Sequence, residues 1–177
     1  MTMADTVAVM NAGHIEQLGH PADIYELPRT VFVANFLGQS NLIEGTKSGT
    51  AGENTLVSAH GETFAVPSSR SFAGGSTAIV GVRPEKMTII DLHTADTVPD
   101  VNNRVRGKVT DVSYSGVSTQ YLVMTAWSQE LIVFEQNMVV GDRCSVGDEV
   151  VLHWAPQHTF GLDGSTGSAV GLDTPGS

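Results

Sequence analysis

The stretch from residue 40 to residue 164 is a series of short segments in which apolar and polar residues alternate, with glycine-rich turns such as "SAHGE" and "FAGGS" between them. Short strands at this spacing are typical of an all-β barrel or sandwich. The 19 glycines and the 6% of aromatic residues favour the same class. The predicted strands are "NLIEG", "NTLVSA", "ETFAVP", "STAIVGV", "KMTIID", "RVRGKVTDVSYSG", "STQYLVMTA", "QELIVFE" and "GDEVVLHWAP".

The first part of the chain follows a different pattern, that of a hairpin and a short helix. "TVAVMNAGHIEQLG" alternates apolar residues on both sides of "NAG", which predicts a β-hairpin with Asn11 and Gly13 at the positive-φ positions of its turn. Pro21 is suited to the first position of a helix, and Pro28 ends that helix.

A second short helix is predicted from "RTVFVANFL", opened by Pro28 and capped by Gly38. Its apolar residues recur three and four positions apart, so they are expected to share one face. The hairpin and the two helices are too small to bury their own apolar faces. We therefore expect this face to dock on the β domain or on a second chain. Its members are Phe32, Val33, Phe36 and Leu37.

These patterns divide the chain near residue 40. Residues 1–39 are predicted to be a short α/β fragment and residues 40–164 a β domain. The last segment, 165–177, is "STGSAVGLDTPGS", which is small, rich in glycine and without periodicity, and it is predicted to be a disordered tail.

Composition limits the compartment and the partners. The 177-residue chain has one cysteine, Cys144, so it forms no internal disulfide and suits a reducing, cytoplasmic compartment. No apolar run approaches the roughly 20 residues that span a bilayer. A net charge of −10 argues against a surface that neutralises nucleic-acid phosphates.

Motifs for nucleotide or metal chemistry are absent from the sequence. There is no G-x-x-x-x-G-K-[ST] loop and no G-x-G-x-x-G after a strand, so nothing in this chain is predicted to hold a nucleotide. The six histidines lack the spacing of metal ligands. We therefore assign no catalytic, cofactor-binding or metal-binding residue.

Candidates for contact with a ligand or regulatory partner lie in two segments. In "GVRPEKMTII" a proline separates Arg83 from Glu85 and predicts a bend or a sheet edge. The two side chains either fix the bend as an ion pair or contact a ligand. In "SYSGVSTQYLV", Tyr114, Thr119 and Tyr121 either line a small pocket at the mouth of a barrel or pack across strands around a turn.

One basic cluster, "RVRGK", falls within a predicted strand, where Arg104, Arg106 and Lys108 share one face. An OB-type barrel can bind an oligonucleotide or another anion on such a face. The alternative is a solvated outer face over buried valines, which the acidic total favours.

The opening segment resembles the end of the ATP-binding subunit of ABC importers. In that family the pattern VMNxGxIxQxGxPxxIYExPxxxFVAxFxGxxN closes the nucleotide-binding domain, and an OB-like β domain, the TOBE domain, follows. "VGVRPEKMTI", "GKVTDVSYSGVSTQYLV" and "GDEVVLHWAPQHTFGL" resemble segments of that domain. The resemblance covers nearly the whole chain except the tail, and it is nearest to importers of the spermidine/putrescine type. The matching residues of the opening segment are Val9, Met10, Asn11, Gly13, Ile15, Gln17, Gly19, Pro21, Ile24, Tyr25, Glu26, Pro28, Phe32, Val33, Ala34, Phe36, Gly38 and Asn41.

The resemblance implies a mainly β fold, an OB-like TOBE barrel or sandwich preceded by the last hairpin and helices of a nucleotide-binding domain. In the family the ATP-site motifs lie upstream, and this sequence starts just after the position of the switch histidine. The resemblance therefore implies that ATP and Mg²⁺ bind only through an upstream domain, and that this chain alone does not hydrolyse ATP.

The resemblance also implies a regulatory role and a set of partners. It predicts a homodimer through the β domain, permease subunits in the full complex, and a position on the cytoplasmic face of the membrane without insertion into it. Two alternatives remain open. One is a free-standing β module that binds a small ligand or an oxyanion near Arg83, Tyr114 and Tyr121. The other is an oligonucleotide binder that uses the basic face.

Overall fold

The structure is a computed structural model that describes residues 4–71, 74–137 and 144–166. The predicted disordered tail therefore lies outside the described residues from residue 167 onward. Its first two residues belong to a 3-10 turn, Gly164–Thr166. Within these ranges the fold is mainly β, as the alternating pattern predicts.

The chain opens with a hairpin of β1 (Val7–Asn11) and β2 (His14–Gly19). Its turn consists of Ala12 and Gly13, with φ of 46° and 83°. The prediction that Asn11 occupies a positive-φ position is wrong, because Asn11 is the last strand residue and pairs with His14. Only the two residues between that pair are left to make the tight turn.

Two six-residue helices follow, α1 (Pro21–Glu26) and α2 (Val31–Phe36). Pro21 opens α1 as predicted, but Pro28 does not open α2. That helix begins after Thr30, whose hydroxyl accepts a hydrogen bond from the Val33 amide at 3.2 Å. Leu37 caps the end of α2, and Gly38 follows it.

The predicted apolar face of α2 is only partly correct. Val33 is fully buried against Val9 and Ile24 in a small hydrophobic cluster, but Phe36 is 64% exposed. The residues of α2 that face the β domain instead are Ala34 and the partly buried Val31, which pack on the outer surface of a sheet.

All nine strands predicted in the β domain are present, and in the described part of the chain they form two five-stranded antiparallel sheets together with a tenth strand, β12. Sheet 1 has the order β12-β6-β3-β4-β5 and sheet 2 the order β10-β9-β8-β11-β7. Sequence reasoning missed β12. The bounds are β3 Asn41–Ala51, β4 Asn54–Ala59, β5 Glu62–Pro67, β6 Thr77–Val82, β7 Thr88–Asp91, β8 Asn103–Tyr114, β9 Ser118–Thr125, β10 Glu130–Gln136, β11 Glu149–Trp154 and β12 Thr159–Asp163.

The two sheets exchange strands. After β6, the 3-10 turn Pro84–Lys86 leads the chain out of sheet 1, and β7 pairs with β11 in sheet 2. After β11, the equivalent turn Pro156–His158 leads back, and β12 pairs with β6 in sheet 1. Each sheet is therefore completed by a strand from the other half of the domain.

A short internal repeat joins the sheets at two related points. β3 and β8 both begin with Asn-x-[Ile/Val]-x-Gly, at Asn41 and Asn103. The Asn41 amide accepts from the Ile132 N–H at 2.8 Å and donates to the Ile132 carbonyl at 2.7 Å. Asn103 makes the same pair of bonds with Ala65, at 2.7 and 2.9 Å. Ile132 and Ala65 lie on the edge strands β10 and β5, so each amide occupies backbone groups that an edge leaves unpaired.

One core lies between the sheets, and a second layer covers sheet 1 from outside. The rings of Phe64 and Trp154 stack in the core with centroids 5.9 Å apart. On the outer surface, Ile79 and Phe160 pack against Ala34 of α2. β6 is thus covered on both faces, which explains its continuous apolar run "AIVGV". Within the described ranges, no helix has the length and apolar character needed to cross a membrane.

The close contact between β6 and β12 gives a first prediction. A Cβ at Gly81 would overlap the buried ring of Phe160, so Gly81→Ala is expected to lower the free energy of unfolding by about 2 kcal/mol. Gly75→Ala is the control, because a Cβ there has no neighbour within 4 Å, and we expect a change within about 0.5 kcal/mol. Urea denaturation followed by tryptophan fluorescence measures both. Equal stability of the two variants would contradict the close packing.

Candidate functional site

A buried arginine holds the helices onto the β domain. Arg83 ends the run of β6 and precedes the 3-10 turn Pro84–Lys86, and only 2% of it is exposed. Its guanidinium donates mainly to main-chain carbonyls near the C-terminal ends of α1 and α2 and in the loop that follows α2. The acceptors are the carbonyls of Tyr25 at 2.9 Å, Ala34 at 2.8 Å, Gly38 at 3.2 Å and Gln39 at 3.3 Å, and the Ser40 hydroxyl at 2.8 Å.

The same guanidinium stacks on an aromatic ring. Its central carbon lies 4.2 Å from the centroid of the Tyr25 ring, a geometry in which the ring face attracts the cation. Burial lowers the pKa of Arg83 from its ordinary value, and the nearby carboxylates of Glu85 and Glu26 oppose that shift. Arg83 Nε is a buried atom without a hydrogen-bond partner in the described chain.

Further contacts tie α1 to the turn that follows Arg83. The Tyr25 hydroxyl donates to Glu85 Oε1 at 2.7 Å, and Lys86 forms an ion pair with Glu26 at 3.2 Å. Burial, the hydrogen bond to Glu85 and the charge of Glu85 raise the pKa of Tyr25 to about 12, so the phenol stays protonated. The expected ion pair between Arg83 and Glu85 is not formed. Glu85 accepts a hydrogen bond from the Tyr25 hydroxyl instead, and the Arg83 guanidinium donates to main-chain carbonyls.

Arg70 makes a second connection between the same parts. It lies at the end of the 3-10 turn after β5 and donates to the carbonyl of Glu26 and, through Nε at 3.1 Å, to that of Thr159. Both arginines therefore satisfy carbonyls at the end of α1, where a helix has no hydrogen-bond donors of its own.

We call the contacts of Arg83 and Arg70 with the ends of the helices the joint. Next to it lies a cleft of about 470 Å³, which we call the turn cleft. One wall is the turn Pro84–Lys86 with the start of β7, and the other is the end of β10. Its lining includes Glu85, Glu135 and Phe134, together with Lys86, which is held by Glu26. The remaining lining residues are Met87, Thr88, Ser118 and Gln136.

The structure brings only some of the five candidate contact residues together. Glu85 lines the turn cleft, and Arg83 lies buried beside it. Tyr121 is fully buried in the core, and its hydroxyl is 3.5 Å from Glu135 Oε2. Thr119 donates to Asn137 Oδ1 at 2.7 Å, and Tyr114, its register partner, is 61% exposed. The assignment of these residues as ligand contacts stays a prediction.

Sequence reasoning missed the other half of this site. Tyr25, Glu26 and Glu135 belong to segments that are far from Arg83 in the sequence, and no spacing rule connects them. The available signal was the polar pair Tyr25-Glu26 inside an apolar helix pattern, directly before Leu27 and Pro28. No group of three or more His, Cys, Asp or Glu residues in the described ranges could hold a metal ion.

The joint gives a second prediction. Arg83→Ala leaves several buried carbonyls without a donor, so we expect the free energy of unfolding to fall by about 3 kcal/mol. Arg83→Lys should lower the free energy of unfolding less than Arg83→Ala does, because lysine keeps the positive charge. It should still be destabilising, because lysine lacks the planar fork that reaches several carbonyls at once. The exposed Arg106→Ala is the control and should change stability by no more than about 0.5 kcal/mol. Urea denaturation compares the three, and an Arg83→Ala variant as stable as the control would disprove the role of the joint.

Comparisons with known proteins agree with this architecture. Residues 80–162 match the model of the TOBE domain. The chain is 38% identical over 166 residues to the spermidine/putrescine import ATP-binding protein PotA of Thermobifida fusca, covering 93% of this chain and 42% of that protein. It is 39% identical over 165 residues to PotA of Acidothermus cellulolyticus, covering 92% and 42%.

A solved structure of the cytoplasmic molybdate-binding protein ModG has a similar fold, with a TM-score of 0.58 at 14% identity, covering 68% of this chain and 94% of that one. The chain spans about two-fifths of the length of the two curated relatives. It therefore contains a TOBE domain and is homologous, over more than nine-tenths of its length, to spermidine/putrescine import ATP-binding proteins of ABC transporters.

Proposed function

We propose that this chain is the C-terminal, regulatory and dimerising part of the ATP-binding subunit of an ABC importer for polyamines. In the full complex it lies on the cytoplasmic face of the membrane, next to permease subunits. ATP and Mg²⁺ bind to an upstream domain, so this part alone does not hydrolyse ATP. The homology to spermidine/putrescine import proteins supports the assignment of the solute class.

The observation that carries the proposal is an uncovered sheet face on the opening hairpin. One side of the hairpin packs Val9 against the helices. The other side presents Met10, Ile15 and Leu18, which are 56%, 60% and 62% exposed. A two-stranded hairpin is barely stable alone, and an apolar face of this kind is typical of a site that another domain covers. An upstream ATP-binding domain would cover it.

The turn cleft is the proposed site of regulation. Tyr25 and Glu26 connect its wall to α1, so a ligand there would act directly on the helices that lead to the upstream domain. Glu85 and Glu135 supply two negative charges and Phe134 an aromatic ring. This combination suits an organic polycation better than an oxyanion, which the two carboxylates would repel. The free-standing oxyanion-binding module is therefore the weaker candidate.

The third prediction concerns assembly and turnover. We expect sedimentation velocity to show a dimer of the 18.7 kDa chain, and a phosphate-release assay to show no ATP hydrolysis above the blank. A variant with Met10→Asn, Ile15→Asn and Leu18→Asn should remain a dimer, because the proposed contacts lie on the β domain. A monomeric variant would place the dimer contact on the hairpin instead, and ATP hydrolysis by the chain alone would overturn the proposal.

The fourth prediction concerns the turn cleft. We expect spermidine to bind in calorimetric titrations at low salt, and the double variant Glu85→Gln/Glu135→Gln to bind about tenfold more weakly. Glu44→Gln is the matched control, since Glu44 is an exposed strand residue that does not line the cleft. Binding that is absent, or that is weakened equally by the control, would remove this cleft as the regulatory site.

A further inference from the structure

The basic strand β8 has two cations that the fold does not use. Arg106 and Lys108 are exposed on the outer surface of sheet 2, and neither makes a hydrogen bond or an ion pair with a described residue. Arg104, two positions earlier, lies 3.7 Å from Asp100 and donates to the Pro99 carbonyl. Arg104 therefore has partners within the described chain that Arg106 and Lys108 lack.

Arg106 and Lys108 stand at an apolar cleft of about 500 Å³, which we call the sheet 2 cleft. Leu92, just after β7, forms one side, and Met124 of β9 forms the other. Gly107 of β8 also lines the cleft, but its missing side chain is on the core side of the sheet, where a Cβ would meet Val123. A volume in the range of about 300–1,000 Å³ is typical of sites for small organic ligands.

The charges at the cleft favour an anion with an apolar body. Arg106 and Lys108 are two positions apart on one strand, so their side chains leave the sheet about 6.6 Å apart. Glu149 is the one carboxylate in the lining, and it is the register partner of Lys108. Arg106 faces Val151 in the same register and so has no carboxylate opposite it. A guanidinium free of partners binds a carboxylate through two parallel hydrogen bonds.

A nucleic acid fits this surface less well. Sites for single-stranded nucleic acid combine cations with aromatic rings on which bases stack, and no aromatic residue lines the sheet 2 cleft. The net charge of −10 also repels a polyanion that extends beyond the cleft. A small monovalent anion is repelled less, because it carries one charge and does not extend beyond the cleft.

We propose that the sheet 2 cleft binds a small organic anion, a monocarboxylate whose apolar chain lies between Leu92 and Met124 while its head group is held by Arg106 and Lys108. The site lies on sheet 2 and shares no lining residue with the turn cleft. It does not depend on the proposed transport function. The ligand class differs in sign of charge from the polyamines, so the two sites would respond to different solutes.

The test uses the full chain with its methionines labelled with carbon-13 at the methyl group, and octanoate as the probe. Comparison with Met124→Leu assigns the Met124 methyl resonance. We expect octanoate to shift that resonance in a saturable way, while acetate and 1-octanol do so only weakly, because acetate lacks the chain and octanol lacks the charge. Saturation without any shift at Met124 would mean that octanoate binds elsewhere, and this would overturn the proposal.

Variants then separate charge recognition from apolar adsorption. Arg106→Gln/Lys108→Gln should weaken octanoate binding at least about tenfold. Arg104→Gln, on the same strand but outside the cleft, should bind as the wild type does. Equal affinity of the double variant and the wild type, or equal shifts with octanol, would overturn recognition of the carboxylate. Displacement of octanoate by a thymidine oligonucleotide, with tighter binding of the oligonucleotide, would replace the proposal by the nucleic-acid alternative.

Discussion

The arrangement of this protein depends on a buried guanidinium that supplies hydrogen bonds to the ends of two helices. A short helix leaves its last carbonyls without donors, and here those carbonyls point into the protein rather than into water. Arg83 reaches them from the end of β6, and the Tyr25 ring covers its face. Because burying an unpaired charge or an unpaired carbonyl is costly, the helices and the β domain can satisfy these groups only in one relative position.

The β domain has its own device for keeping two sheets in register. Asn41 and Asn103 each bond both backbone groups of one residue on the opposite sheet's edge strand. The exchange of β7 and β12 between the sheets adds two covalent connections that lie side by side, because β12 begins opposite Val82 and β7 begins opposite His153. The two devices act on the same pair of sheets, so a shift of one sheet would break amide pairs and strand pairs together.

This arrangement links the turn cleft to the helices by short contacts. Glu85 faces the cleft and accepts the Tyr25 hydroxyl, and the neighbouring Lys86 is paired with Glu26. The Tyr25 ring in turn lies on the guanidinium that holds α2. A ligand that draws Glu85 away from Tyr25 would therefore alter the contacts of Arg83 with the helices, which is the physical reason for proposing a regulatory role for this cleft. The sheet 2 cleft has no such connection among the described contacts.

The sequence by itself determined the strands, because alternation of apolar and polar residues is a local property of each segment. It also predicted the hairpin, the start of α1 and the outward face of Arg104, Arg106 and Lys108. It did not reveal β12, since Thr159, Phe160 and Leu162 are all buried and such a strand does not alternate. Only the tertiary structure decided the exchange of strands and the use of Arg83. The acceptors of Arg83 lie between 43 and 58 positions away along the chain, so they become its neighbours only after the sheets and helices have packed.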